Sequence, residues 1–173
     1  MSVTTSAGTP VGTPVSTASS SLTLDGDLDP SRFAHLAPAA SDAPPTLAQL
    51  AHHARTIAAR PEDWRHLVRF DPAQRWRLRL HQEAGYEAWL MSWLPGQRTG
   101  MHDHGDSAAV IAVALGELHE HTTAPNGADT VVHVIGPDRV RIWGARNVRE
   151  ILNPTSPPAI SVHVYSPPLP EIR

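Results

Sequence analysis

Residues 93–107 read WLPGQRTGMHDHGDS, and this stretch decides the fold prediction. Its Pro-Gly pair is a typical loop signal, and the apolar run Ala108–Leu115 that follows predicts a strand. His102 and His104 stand two residues apart. In extended backbone the side chains alternate between two faces, so both imidazoles would leave the chain on one face. Two neutral imidazoles that converge in this way can chelate a divalent metal such as iron, zinc, nickel or copper.

The chain contains 11 histidines, so a bare H-x-H pair could also be two surface histidines beside a turn. A glycine frame favours the metal pair: Gly96 precedes His102 by six positions, and Gly116 follows the apolar strand. A second H-x-H pair, His119 and His121, lacks such a frame. We therefore expect those two histidines and the intervening Glu120 to be solvated strand residues.

The sequence WLPGQRTGMHDHGDSAA, together with SVHVYSPPL at 161–169, resembles the cysteine dioxygenase family of thiol dioxygenases. The resemblance extends from about Leu47 to the C-terminus, and its glycine frame is also the first motif of the cupin barrels. It implies an all-β fold: a small cupin barrel, or double-stranded β-helix of the jelly-roll type, with one or two N-terminal helices. We place this domain at residues 46–173.

Composition bounds the other possibilities. Residues 1–45 are rich in Ser, Thr, Ala, Pro and Gly, and we predict a disordered tail because they bury too little apolar surface. A net charge of −3 argues against nucleic acid or an acidic membrane as partner, and no apolar run reaches transmembrane length. Cysteine is absent, which excludes disulfides and thiolate ligands. A cytoplasmic protein, monomeric or weakly homo-oligomeric, is the default expectation.

The sequence pattern predicts two helices followed by strands. Thr46 and Gln49 form a capping box before an apolar stripe, and this helix should end before Pro61, which begins a short second helix. Short apolar runs punctuated by Gly, Pro, Asn and Asp then predict seven strands. Their predicted bounds are 75–82, 86–93, 107–115, 117–122, 130–135, 139–143 and 160–165.

The resemblance implies a ferrous ion held by three histidines, of which His102 and His104 match the first two. The third matches Arg149, four residues before Asn153. A guanidinium is always charged and is not a metal ligand. Three interpretations stay open. The site uses two histidines with water, substrate or a displaced side chain such as His163; Arg149 points away or binds a substrate carboxylate; or the protein no longer binds iron well.

Ser161, His163 and Tyr165 alternate, so they share one strand face, which could also be the polar face of an edge strand. The resemblance implies that the serine and histidine orient the tyrosine, whose hydroxyl points to substrate and oxygen. It also implies an arginine on an early strand that binds the substrate carboxylate. Arg77 and Arg79 both fit that position, with Arg77 preferred.

The resemblance therefore implies a cysteine dioxygenase-like oxidoreductase of cysteine metabolism. It would use Fe(2+), or another divalent metal, to oxidise the thiol of cysteine or a related small molecule to a sulfinate with O2. One alternative is a diverged cupin with a two-histidine metal site that acts on another small sulfur or amino-acid substrate. The other is a catalytically silent cupin that binds a small molecule. Arg149 puts the parent activity in doubt.

Overall fold

The described part of the chain in a computed structural model comprises residues 29–36, 43–124, 127 and 129–170. Helix α1 spans Leu47–Ala58, and its capping box is formed as predicted, with Gln49 Oε1 accepting from the Thr46 N–H at 2.8 Å. Helix α2 spans Pro61–Trp64, and a 3-10 turn at Arg65–Leu67 continues it. In this part of the chain no helix combines the length and apolarity needed to cross a membrane.

Eight antiparallel strands follow, and they confirm the predicted β fold. Their bounds are β1 Trp76–Gln82, β2 Glu87–Trp93, β3 Ala108–Leu115, β4 Leu118–Thr123, β5 Thr130–Ile135, β6 Val140–Trp143, β7 Glu150–Leu152 and β8 Ala159–Ser166. Of these strands, β7 alone was not predicted from the sequence, because three residues are too few to show a period. The strands form one sheet in the order β1-β2-β8-β3-β6 and another in the order β5-β4-β7.

The larger sheet separates two hydrophobic cores. Its outer face packs against α1 and buries alternate residues such as Leu90, Val110 and Val164. Its inner face and the smaller sheet enclose the second core, which includes Trp93 and Ile151. The period of two along each strand therefore decides which residues reach the barrel interior.

Strand β8 lies in the middle of the larger sheet, between β2 and β3, and all its residues are buried. The edge-strand interpretation of 161–165 is therefore wrong. Val162 and Val164 pack under α1 on the outer face. Ser161, His163 and Tyr165 occupy the alternate positions and reach the interior.

Most of the predicted tail, residues 1–28 and 37–42, lies outside the described residues. The prediction of disorder does not hold for Pro30–Leu36, which form a 3-10 helix. Phe33 is 1% exposed and belongs to the outer core. Arg32 Nη1 donates to the backbone oxygen of Glu62 at 3.2 Å. One aromatic side chain in a polar segment has no periodicity, so the sequence pattern does not predict its burial.

Candidate functional site

A cavity of about 760 Å³ opens between the two sheets. Both sheets and the loop before β3 contribute to its wall. The side chains that matter for its chemistry are Arg75, Arg77, Trp89, His102, His104, Trp143, Arg149, His163 and Tyr165. Every site residue named from the sequence lines this cavity except Arg79 and Ser161.

His102 and His104 face the cavity from the irregular segment before β3, in which His102 forms an isolated β-bridge, rather than from a regular strand. His102 pairs through its backbone with Arg149, with N–H to oxygen distances of 3.0 and 2.9 Å. The two imidazole centroids are 4.8 Å apart and the rings are nearly perpendicular. His102 Nδ1 lies 2.9 Å from the Gly100 carbonyl, which can only accept, so this nitrogen carries the proton and Nε2 keeps a lone pair.

Arg149 is 2% exposed and lies beside these histidines. Its Nη2 is 2.7 Å from His104 Nδ1, and its Nη1 donates to the Asn147 carbonyl at 2.8 Å. A guanidinium only donates, so Nδ1 of His104 accepts and the proton of that neutral imidazole sits on Nε2. Cζ stands 4.1 Å from the centroid of the Trp143 ring, a cation–π contact.

Burial and neighbouring charge keep both imidazoles neutral. Burial is the main cause that lowers the pKa of His104 to about 3, and the charges of Arg149 and His102 add to it. Burial also lowers the pKa of His102, and Arg149 and Arg75 contribute to that decrease. Neither histidine therefore carries charge at neutral pH.

The donor set as arranged does not fit a three-histidine ferrous site. A metal ligand must offer a lone pair. His102 offers Nε2, whereas the lone pair of His104 is bonded to Arg149. A cation stands where the resemblance implies a third imidazole. Within the described ranges no group of three His, Asp or Glu side chains is arranged to hold a metal.

A hydrogen-bonded chain runs along the inner face of β8. Trp93 Nε1 donates to Ser161 Oγ at 2.8 Å, and this hydroxyl is 2.9 Å from His163 Nε2. His163 Nδ1 is in turn 3.2 Å from the Tyr165 hydroxyl. Burial lowers the pKa of His163 well below its usual value, so the ring is neutral and one of its nitrogens donates while the other accepts.

Tyr165 is the last residue of this hydrogen-bonded series, and it lines the cavity. Its ring centroid is 4.7 Å from that of His104. Burial raises the pKa of Tyr165 to about 12, and the charges of Arg149 and Arg75 oppose the rise. The hydroxyl is therefore neutral, and its hydrogen bond with His163 holds it in position. Trp93 and Ser161 act through His163 rather than by touching the cavity contents.

The arginines of the first strand divide between two environments. Arg77 lines the cavity, with Cζ 5.6 Å from the Trp89 ring centroid. Arg79 is not among the lining residues, and its Nη1 lies 3.9 Å from the buried carboxylate of Glu87. Arg75 was not selected from the sequence, but it also lines the cavity. Its Cζ lies 4.8 Å from the centroid of the Trp93 ring. Its alternation with Arg77 was the signal that could have identified it.

Glu120 contradicts the expectation of a solvated residue, since it is 1% exposed. Its Oε2 accepts from Arg141 Nε at 2.8 Å, and its Oε1 accepts from Trp143 Nε1. The ring of Trp143 carries Arg149 on its face. Glu120 thus holds the indole ring against which Arg149 packs. Its alternation with the buried Leu118 was the signal for its inward orientation.

Comparison with known proteins gives a family and a fold. The sequence profile described as cysteine dioxygenase type I matches residues 46–173. A Thermus thermophilus protein of known structure is 22% identical, with a TM-score of 0.54 over 61% of this chain and 95% of its own. An uncharacterised Klebsiella pneumoniae protein with a double-stranded β-helix domain is 20% identical, with a TM-score of 0.52 over 60% and 85%.

A cupin superfamily protein of Desulfitobacterium hafniense has a TM-score of 0.50 at 14% identity, over 60% of this chain and 86% of that one. At these identities the three structures establish the fold alone, and that fold is the small cupin that the sequence predicted. No curated protein is similar to the chain at a significant level.

Proposed function

Because this chain belongs to the cysteine dioxygenase type I family, we propose that its cavity binds cysteine or a related small thiol that carries a carboxylate. Membership of the family supports a cupin-type metal enzyme. The observation that carries the proposal is a small interior cavity that joins a strand-borne arginine to the Trp93–Ser161–His163–Tyr165 chain.

Arg77 is the proposed partner of the substrate carboxylate. Its guanidinium presents the planar pair of donors that matches a carboxylate, and Trp89 beside it limits its orientation. Tyr165 offers a neutral hydroxyl held by His163, which can donate to or accept from the substrate's polar end. Trp89 and Trp143 line the cavity, and an apolar wall strengthens the polar contacts made beside it.

Binding of matched ligands tests this function. Cysteine and cysteamine differ in the carboxylate, so the full chain should bind cysteine about tenfold or more tightly in anaerobic calorimetry. Arg77→Met should remove that preference. Arg65→Met, which alters an exposed arginine outside the cavity, should retain it. Equal affinity for the two ligands in the unmodified protein would reject the carboxylate site.

The family reaction itself is the second candidate. The complete series of hydrogen bonds from Trp93 through Ser161 and His163 to Tyr165 favours it. In that reaction both atoms of O2 end on sulfur (RSH + O2 → RSO2H), so sulfur loses four electrons and O2 gains them. The present contact of Arg149 with His104 does not fit an iron site. Oxidation therefore requires the guanidinium to leave His104, and we derive no step through iron.

Iron titration separates the two candidates. We expect Arg149→His to bind ferrous ion at least about tenfold more tightly than the unmodified protein, since changes even behind the ligands alter affinity by ~10–100-fold. The double variant His102→Ala, His104→Ala should bind none. If the unmodified protein already binds iron tightly and consumes oxygen with cysteine, the carboxylate-binding protein without metal chemistry is rejected. If Arg149→His gains no affinity, Arg149 does not occupy the ligand position.

A further inference from the structure

The cavity contains a buried cation, Arg149, that no acid among the described residues neutralises. Arg149 takes part in none of the ion pairs of the described residues. Of the five N–H groups of a guanidinium, one meets the Asn147 carbonyl and one meets His104. Its Nε is buried and has no hydrogen-bond partner among the described residues. The remaining N–H groups are therefore available to an anion. An anion there would also offset the free-energy cost of burying an unpaired charge.

Glu120 beneath Trp143 and the two acids of the cavity lining, Asp103 and Asp106, are bonded to other groups or exposed. Glu120 is bonded through one oxygen to Arg141 and through the other to Trp143. Asp103 is exposed and accepts from the Gly105 N–H at 2.7 Å. Asp106 is exposed and pairs with Arg146 at 2.9 Å. These contacts leave the positive charge of Arg149 facing the cavity.

A second cation of the same kind lies in the same cavity. Arg75 enters from the β1 end and, like Arg149, takes part in no ion pair of the described residues. Arg75, Arg149 and Tyr165 all line this cavity, so both guanidiniums face the same interior space as the tyrosine. The larger sheet thus supplies one cationic end of the cavity, and the segment before β7 supplies the other.

We propose that the natural ligand is a small organic dianion, with one acid at the β1 end beside Arg75 and Arg77 and a second acid on Arg149. The second acid is a carboxylate, sulfinate or sulfonate, each of which offers two oxygens to the guanidinium. This assignment rests on the proposed carboxylate site and extends it across the cavity. Trp143 beneath the guanidinium and the Asn147 carbonyl hold Arg149 in place for this contact.

Succinate and butyrate are suitable probes, because they share four carbons and differ in the second acid. Calorimetry on the full chain should show succinate binding about tenfold more tightly than butyrate. In Arg149→Met this ratio should fall to about one, while the affinity for butyrate stays unchanged. In Arg77→Met both ligands should weaken together. Arg65→Met is the control and should behave as the unmodified chain does.

The melting temperature of Arg149→Met gives a second measurement, which needs no ligand. Loss of an unneutralised buried cation should leave the melting temperature of Arg149→Met equal to or above that of the unmodified chain. Arg149→Gln, which keeps an N–H for His104, serves if the methionine variant does not fold. Equal affinity for succinate and butyrate, or a preference that survives in the Arg149 variants, would overturn the dianion assignment alone. Absence of binding by both acids would overturn the carboxylate site as well.

Discussion

At the scale of single residues, the cavity depends on a stack of alternating polar and aromatic groups. Arg141 neutralises Glu120, which holds the Trp143 indole, and the indole face carries Arg149. Arg149 in turn fixes the tautomer of His104. An unsupported guanidinium at this depth would be costly, and this stack explains how the barrel accommodates it.

Glu120→Gln tests that support. The change removes the charge that Arg141 neutralises and turns one acceptor oxygen into a donor NH2 group, so we expect the free energy of unfolding to fall by about 2–4 kcal/mol. Glu117→Gln is the matched control on the same hairpin, because that side chain is 41% exposed and pairs with His119 at the surface. It should cost less than about 1 kcal/mol. Urea unfolding of both variants measures the difference, and equal losses would show that the stack contributes nothing.

At the scale of secondary-structure elements, one glycine determines how the two sheets meet. Gly116 joins β3 to β4 and has a φ of +74°, which glycine adopts without strain. A Cβ there would lie 2.7 Å from the Pro158 carbonyl oxygen and 2.9 Å from Ala159 Cα. The turn therefore needs the glycine both for its backbone angle and for its close approach to the chain before β8.

Gly116→Ala should consequently lower the free energy of unfolding by more than its positive φ alone explains. Gly127 has nearly the same φ, +73°, but no atom of the described residues lies within 4 Å of a Cβ built there. Gly127→Ala should lose about 1–2 kcal/mol from the left-handed angle, whereas Gly116→Ala should lose about 1–3 kcal/mol more from the clash. Thermal and urea unfolding of the pair check this. Equal destabilisation would mean that the loop before β8 moves aside freely.

At the scale of the whole molecule, the outer core extends beyond the barrel into the N-terminal segment. Phe33 packs with the residues between α1 and the larger sheet, although 46–173 is the range that matches the family. The segment around it also bonds to Glu62 through Arg32. We therefore expect the stable unit to begin before residue 46. Cytoplasmic location and a monomeric or weakly oligomeric state stay predictions from the sequence.

Two truncations test this boundary. A chain that begins at residue 29 should keep its melting temperature, because the composition of residues 1–28 offers little apolar surface to bury. A chain that begins at residue 46 loses Phe33 and should melt about 10 °C lower, since removing a buried phenylalanine side chain costs about 3–5 kcal/mol. Phe33→Ala in the full chain should reproduce most of that loss. If the shorter chain melts unchanged, residues 29–36 contribute nothing to stability.

The sequence by itself determined the cupin fold and seven of the strand positions, and it singled out His102, His104, Arg149, His163 and Tyr165, which the structure places around one cavity. Strand alternation and turn residues were enough for the strands, because these patterns are local along the chain. The cupin barrel and the choice of Arg149, His163 and Tyr165 came from motifs that resemble the cysteine dioxygenase family. Only the tertiary structure decided that Arg149 bonds to His104, that Arg75 shares the cavity and that Glu120 is buried under Trp143. Those contacts join residues from separate strands and loops, and their energies depend on burial and on neighbouring charge, which folding alone creates.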